Sequence, residues 1–292
     1  MLNYTFIIPH RNTPELLKRC IDSIPKRDDV EVIIVDDNSD PNIVDFEQFP
    51  GKGIENFICI FDKEGRGAGH ARNIGLAKAK GTWLVFADAD DYFTDNITAI
   101  LDKYQNSNVD MVLLNAKSVD ENGKISSLAL NRYVLNYSHK RLYSLDVLKY
   151  GVWSPWSRMV KRHIAVEKDI KFEEVPVGND TMFVLNTTKN CKSFEVEGSI
   201  VYMYYQPSQG SQTHSMYNHS TILSRLEQKF KINKLYTEVG YSFKWPIHRP
   251  FINVDLKNTT EYQEILRKYN YNRLADLLIY IKYIVAKILG IL

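Results

Sequence analysis

The chain has 292 residues, of which 44% are hydrophobic and 25% charged, and these proportions exclude a disordered or fibrous protein. Its 37 Lys and Arg residues against 35 Asp and Glu residues leave a formal charge of +2, which excludes a dedicated nucleic-acid-binding protein. Cys20, Cys59 and Cys191 form no CxxC pair. This spacing argues against a disulfide framework or a zinc knuckle and favours buried thiols in a reducing compartment.

Strand and helix patterns alternate over residues 1–115. β-rich runs at 4–8, 30–35, 56–61 and 82–87 predict strands, and apolar residues at helical spacing predict helices between them. Thr13 followed by Pro14 predicts a helix start with Thr13 as the cap. Strands separated by helices indicate an α/β fold with a mostly parallel central sheet and flanking helices.

The pattern changes after residue 115. Asn122-Gly123 lies between two half-polar runs and predicts a β-hairpin. A strand is predicted over 196–205 and helices over most of the remaining chain. We therefore predict one domain over residues 1–215, divided at residue 115, and a helical extension over residues 216–292.

Polar residues follow the predicted strands at the points where these strands end. They are Pro9-His10-Arg11, Asp36-Asp37 and Asp88 to Asp91. Parallel sheets bind ligands beyond the carboxyl ends of their strands, so these residues predict a binding site. Asp88 and Asp90 offer the oxygen ligands that Mg²⁺ or Mn²⁺ prefers. The alternative is that Asp88 caps the next segment and its neighbours are solvated.

Further charged residues lie where this site would be. Asp37 has the position of a carboxylate that accepts hydrogen bonds from a ribose or a base, or it caps a turn. Guanidinium groups in the adjacent loops suit phosphate, and they are those of Arg11, Arg66 and Arg72. Asp180 stands at a predicted helix start, where the helix dipole favours an ionised carboxylate that can act as a base. A plain helix cap is the alternative.

Ordered motifs connect these residues to a known family. They occupy residues 6–12, 32–39, 69–75, 81–91 and 178–183. Together they resemble the signatures of family 2 glycosyltransferases, the inverting enzymes of GT-A fold that are common in bacterial polysaccharide synthesis. The resemblance implies a UDP-sugar donor and Mg²⁺ or Mn²⁺ on its diphosphate, with residues 1–115 binding the nucleotide sugar and residues 116–215 the acceptor.

The resemblance also implies roles for individual residues. The nucleoside would be held by Pro9, Arg11, Asp37 and Arg72. Asp88 would contact the ribose or the hydration shell of the metal, and Asp90 would be its direct ligand. Asp180 matches the aspartate that acts as the general base on the acceptor hydroxyl.

Other positions depart from the family pattern or fit it loosely. Asn179 is a candidate for binding the acceptor, at a position where the family often has Glu. Trp153 and Trp156 are candidates for stacking on an acceptor sugar, with core packing as the alternative. His214 lies where many relatives place a cationic or metal-binding residue over the diphosphate, with a surface histidine as the alternative.

The C-terminal segment 272–292 is amphipathic. Apolar side chains share one arc of ~160° on a helical wheel. Two lysines and one aspartate lie on the other side, and basic residues precede the segment. This pattern favours an interfacial helix on an anionic membrane, with packing on protein as the alternative. With no leader pattern and no long apolar run, we expect a cytoplasmic protein at the inner face of the plasma membrane.

The sequence therefore predicts an inverting sugar transfer to a glycan. Family resemblance alone suggests a lipid-linked oligosaccharide of capsule or O-antigen synthesis as the acceptor. One alternative is a Mg²⁺-dependent phosphohydrolase that uses Asp88 as its nucleophile. The other is a binding module for nucleotides or glycans that has lost turnover.

Overall fold

The computed structural model describes residues 2–138, 145–207, 219–247 and 259–288. The strands are β1 (Tyr4–His10), β2 (Val30–Asp37), β3 (Phe57–Asp62), β4 (Trp83–Phe86), β5 (Tyr92–Phe93), β6 (Met111–Val119), β7 (Ile125–Ser127), β8 (Arg158–Lys161) and β9 (Phe194–Tyr205). The helices are α1 (Pro14–Asp22), α2 (Ala68–Lys78), α3 (Asn96–Tyr104), α4 (Ala129–Ser138), α5 (Leu145–Tyr150), α6 (Arg162–Glu167), α7 (Thr181–Asn190), α8 (His219–Glu238), α9 (Thr260–Lys268) and α10 (Arg273–Ile288).

The N-terminal half of the sheet is parallel, and its strands lie in the order β3-β2-β1-β4. Every residue of β1, β2 and β4 is buried. This burial explains their continuous apolar sequences, since strands covered on both faces do not alternate with polar residues. Because β1 lies between β2 and β4, the carboxyl ends of the three strands are adjacent. The predicted α/β arrangement is confirmed.

The second half of the sheet is mixed. β8 is antiparallel to both β4 and β6, β9 is parallel to β6, and β5 is antiparallel to β9. β6 and β7 form the predicted hairpin, in which the Asp120 N–H donates to the Lys124 carbonyl across the turn at Asn122-Gly123. Gly123 has φ of +78°, a conformation that favours glycine.

The first helix begins at Pro14, as its sequence predicts. Thr13 takes the cap position, but its side chain makes no capping hydrogen bond. Its backbone N–H instead donates to His10 Nε2 over 3.1 Å. This bond connects the start of α1 to the end of β1.

The chain divides into two compact units. One contains Met1–Glu174 and Asn179–His214, and the other contains Val175–Gly178 and Ser215–Leu292. In the second unit, Gln228 Nε2 on α8 donates to the carbonyls of Val177 and Gly178 over 2.8 and 2.7 Å. Among the described residues, no helix is long and apolar enough to cross a membrane.

Gly69 allows α2 to lie close to the segment that precedes α7. A Cβ at this position would stand 2.2 Å from the Glu173 carbonyl oxygen and 3.0 Å from Asn179 Cβ. We expect Gly69→Ala to lower the free energy of unfolding by about 1–3 kcal/mol, because backbone must move to relieve the overlap. Denaturant unfolding measures the change. Gly198→Ala is the control, since a Cβ there meets nothing within 4 Å, and equal stability of the two variants would contradict the prediction.

Candidate active site

Asp37 is the last residue of β2, and its side chain binds the loop that precedes α2. It is 4% exposed, and its carboxylate accepts the Gly67 N–H over 3.0 and 3.1 Å. Arg11 Nη1 lies 3.7 Å from Asp37 Oδ2, and the Arg11 side chain is 56% exposed. Pro9 is buried in β1 opposite Val35. Asp37 therefore anchors this edge of the sheet, with the Arg11 guanidinium beside it and open to solvent.

A buried network that the sequence analysis did not anticipate lies beside Asp37. His10 Nδ1 lies 2.8 Å from Asp36 Oδ2, and the Ser39 hydroxyl donates to the same oxygen over 2.5 Å. Because His10 Nε2 accepts the Thr13 N–H, the neutral ring carries its proton on Nδ1 and donates it to Asp36. Burial raises the pKa of Asp36, but the bonds from His10 and Ser39 outweigh it and hold the pKa below its usual value. The network fixes the loop that carries Arg11.

Arg72 joins parts of the chain that are distant in sequence. It is 5% exposed, Nη2 donates to Asp88 Oδ1 over 2.5 Å, and Nη1 donates to Asn179 Oδ1 over 2.8 Å. The guanidinium thus connects the end of β4 to the residue before Asp180. In the structure, Arg72 binds other residues of the candidate site and so holds them in position. Its assignment to the nucleoside remains a prediction.

The turn after β4 is held by its backbone and by Asp91. Tyr202 bridges the turn, since its hydroxyl accepts the Asp88 N–H and donates to Asp91 Oδ2 over 2.7 Å. Asp91 also accepts the Tyr205 N–H over 2.6 Å. Asp91 is fully buried, so it serves the structure. The side chains of Asp88 and Asp90 are only partly buried and remain the candidates for the site.

Asp88 and Asp90 fit a hard divalent cation. Burial, together with the negative charge of Asp88, raises the pKa of Asp90 to about 6. A cation bound beside Asp90 would balance the negative charge there, and both carboxylates offer oxygen ligands. Mg²⁺ or Mn²⁺ held by this pair would neutralise charge on a bound diphosphate.

A second group of potential ligands lies at the end of β3. Within the described ranges, Asp62, Glu64 and His70 bring one ligand atom each to within 4.8 Å of one another. His70 Nδ1 lies 3.1 Å from Glu174 Oε1, and Arg66 pairs with both Glu64 and Glu174. The sequence analysis did not single out Asp62 or His70, because their proximity depends on how α2 packs. Metal-binding experiments must distinguish this group from Asp88 and Asp90.

Asp180 occupies the cap position of α7, yet its side chain makes no capping hydrogen bond. Burial raises its pKa, Arg72 lowers it and Asp88 raises it, and the net direction is upward. The helix start alone is expected to favour the ionised form of Asp180. In the structure, removal from solvent and the charge of Asp88 outweigh Arg72 and the backbone hydrogen bonds, so the pKa shifts upward.

The shifted pKa of Asp180 predicts the acid side of a pH profile. A general base works only when ionised, so kcat should fall as the pH drops through this pKa. Because the pKa is raised, the fall should lie at higher pH than the value of about 3.9 for an ordinary aspartate. A kcat profile from pH ~3 to pH ~8 at saturating substrates tests this. A fall in kcat centred at or below the ordinary aspartate value of about 3.9 would contradict the prediction.

The residues predicted to bind the acceptor have different environments. Trp156 is 7% exposed, and its ring stacks on Tyr202 with centroids 4.9 Å apart and planes at 11°. Trp156 is therefore part of the core, and the prediction that it contacts the acceptor is corrected. Trp153 is partly buried and donates from Nε1 to the Tyr150 carbonyl over 2.8 Å. The Asn179 side-chain oxygen is taken up by Arg72, and His214 lies outside the described residues.

The fold and the site define an α/β protein whose acidic side chains gather at the carboxyl edge of a parallel sheet, where such proteins bind phosphorylated ligands. The family model described as "Glycosyl transferase family 2" matches residues 5–167. This range is more than half of the chain, and the chain belongs to that family. The family resemblance drawn from the motifs is thereby confirmed, and the phosphohydrolase alternative loses its support.

Two curated bacterial relatives share a polymer in their names. One is the poly(ribitol-phosphate) beta-N-acetylglucosaminyltransferase TarS of Staphylococcus aureus, 23% identical over 74% of this chain and 38% of its own length. The other is the poly(ribitol-phosphate) beta-glucosyltransferase of Bacillus spizizenii, 26% identical over 70% of this chain and 32% of its own length. The chain thus spans about a third of the length of these relatives.

Solved structures support the fold. S. aureus TarS 1-349 in complex with UDP-GlcNAc matches with a TM-score of 0.64 at 18% identity, covering 92% of this chain and 80% of that one. The mannosyltransferase PcManGT from Pyrobaculum calidifontis, in complex with GDP-Man and Mn²⁺, matches with a TM-score of 0.54 at 18% identity, covering 97% and 80%. The predicted GT-A fold with C-terminal helices is confirmed.

Proposed function

We propose that this protein transfers a sugar from a UDP-sugar to a hydroxyl group of a cell-surface glycan, with inversion at the anomeric carbon and Asp180 as the general base. The observation that carries the proposal is the pair of bonds from Arg72 to Asp88 and Asn179. These bonds bring the acidic end of β4 next to the residue that precedes Asp180. This arrangement supports a diphosphate site next to a base for the acceptor.

The chemistry follows from these positions. The ionised Asp180 accepts the proton of the acceptor hydroxyl, and the oxygen forms a bond to the anomeric carbon of the donor. The bond between that carbon and the diphosphate oxygen breaks, and its electron pair leaves with UDP. Attack on the face opposite the leaving group inverts the anomeric configuration. Asp88 and Asp90 would hold the divalent cation that neutralises the diphosphate.

The solvent-exposed Arg11 and the anchored Asp37 support a nucleoside site at the end of β1 and β2. A guanidinium group suits a phosphate or a base edge, and the Asp37 carboxylate suits a hydrogen-bond donor of the nucleoside. TarS was solved in complex with UDP-GlcNAc and with UDP. This match supports UDP as the nucleotide proposed here.

The proposed acceptor is a lipid-linked glycan at the cytoplasmic face of the plasma membrane. The two curated relatives are named for poly(ribitol-phosphate). An acceptor screen should therefore include that polymer alongside capsule and O-antigen intermediates. In that screen, transfer to soluble sugars only would contradict the lipid-linked part of the proposal.

Calorimetric titration tests the donor class. UDP, GDP, dTDP and CMP are each added to the full chain with Mn²⁺ and again with EDTA. We expect UDP to bind, with an affinity that falls when EDTA removes the metal. Binding of GDP in place of UDP would overturn the donor assignment, and binding of no nucleotide under any condition would overturn the proposed function.

A further inference from the structure

Helix α10 exposes its apolar side chains, the reverse of a typical helix on a water-soluble domain. Leu274 is 75% exposed and Leu278 62%, while Leu277, Ile281 and Val285 are between 49% and 52% exposed. At ~100° per residue these side chains lie within an arc of ~100°. They form one continuous apolar stripe along the helix.

The opposite side of α10 is polar and packed. Asp276 is 4% exposed, and its carboxylate accepts the Ile247 N–H over 2.7 Å and the Tyr271 hydroxyl over 3.1 Å. Tyr283 lies against Trp245, with ring centroids 6.0 Å apart. These contacts, all within the C-terminal unit, fix the rotation of the helix about its axis and so keep the apolar stripe turned outward.

Charge indicates what covers the stripe. Arg273 and Lys282 are exposed, and they flank the stripe ~100° to one side of its centre and ~80° to the other. Asp276 is the helix's one acidic residue, and it is buried. If a second copy of α10 covered the stripe, its cationic side chains would therefore lie near those of the first copy. Anionic lipid headgroups would instead balance this positive charge.

We propose that α10 lies in the interface of an anionic lipid bilayer, with the apolar stripe among the acyl chains and Arg273 and Lys282 at the level of the phosphates. Long cationic side chains beside an apolar face suit this depth, since their stems are apolar and their ends are charged. The inference rests on the membrane location in the proposed function. It does not depend on sugar transfer.

Vesicle sedimentation tests the inference with the full chain and no sugar donor. The vesicles are phosphatidylcholine alone or with ~30% phosphatidylglycerol. We expect binding to the anionic vesicles, weakened about tenfold or more in the variant Leu277→Gln/Ile281→Gln, which removes apolar contact from the stripe. The variant Arg273→Gln/Lys282→Gln should lose the preference for anionic vesicles.

The control is Ile125→Gln/Val166→Gln, which changes apolar residues that are 57% and 51% exposed in the N-terminal unit. It should bind vesicles like the parent chain, and all variants should retain the parent's UDP affinity. If the parent chain binds UDP but does not bind vesicles, this inference is overturned and the proposed function stands. Undiminished binding by Leu277→Gln/Ile281→Gln also overturns it. A third outcome would overturn it as well: the parent chain forms a dimer in lipid-free solution and this variant does not. A second copy of the chain would then cover the stripe.

Discussion

Asp180→Asn is expected to lower kcat by about 10²–10⁴ while leaving the affinity for UDP almost unchanged. The asparagine amide has the shape of the carboxylate but cannot accept the acceptor proton. The loss should therefore fall on the chemical step and spare donor binding. Turnover with a UDP-sugar and an accepted glycan measures the first quantity, and calorimetry with UDP measures the second.

Asp169→Asn is the matched control for this change. Asp169 is an exposed carboxylate paired with Lys171, so the same substitution there should alter neither turnover nor affinity. Unchanged turnover in Asp180→Asn would show that Asp180 is not the general base. If the parent chain binds UDP but turns over no donor with any acceptor, the alternative of a non-catalytic binding module is favoured instead.

Asp90→Asn is expected to weaken UDP binding in the presence of Mn²⁺ by about 100-fold or more, because even a partner of a metal ligand contributes 10- to 100-fold to metal affinity. The remaining affinity should match that of the parent chain in EDTA. Burial and, after it, the negative charge of Asp88 raise the pKa of Asp90, and a bound cation would balance that charge. Calorimetry with and without EDTA measures the effect.

His70→Gln separates the two candidate cation sites. His70 belongs to the group of ligands at the end of β3, so its substitution should leave metal-dependent UDP binding intact. If His70→Gln removes the metal dependence and Asp90→Asn keeps it, the cation acts at the other group. Thermal unfolding of both variants checks that each retains the parent fold.

The sequence predicts the parts of the proposed site that depend on local pattern. An apolar run that ends in acidic residues marks a strand end, so the sequence alone places Asp37, Asp88 and Asp90 at strand ends. The order of strands then brought their ends together. Glycine beside Asn122 likewise predicted the hairpin, because the turn conformation it requires is a property of a few adjacent residues.

Features that depend on tertiary packing were not predicted. Arg72 and Asn179 are 107 positions apart, and no local pattern reports their bond. The upward shift in the pKa of Asp180 depends on burial, which a helix start in the sequence does not show. The sequence leaves sugar stacking and core packing open for Trp156, because only the fold shows that its ring packs on Tyr202.

The chain leaves the first unit for residues 175–178 and then returns to it. This path limits where the protein can be truncated. Val175–Gly178 belong to the C-terminal unit, where Gln228 holds their carbonyls, and Asn179 and Asp180 follow directly. A truncation after residue 215 would remove Gln228. The carbonyls of Val177 and Gly178, just before the proposed base, would then lose these hydrogen bonds. Exchange of C-terminal regions between relatives would therefore have to include residues 175–178 together with α8, because Gln228 would otherwise lose the carbonyls that it binds.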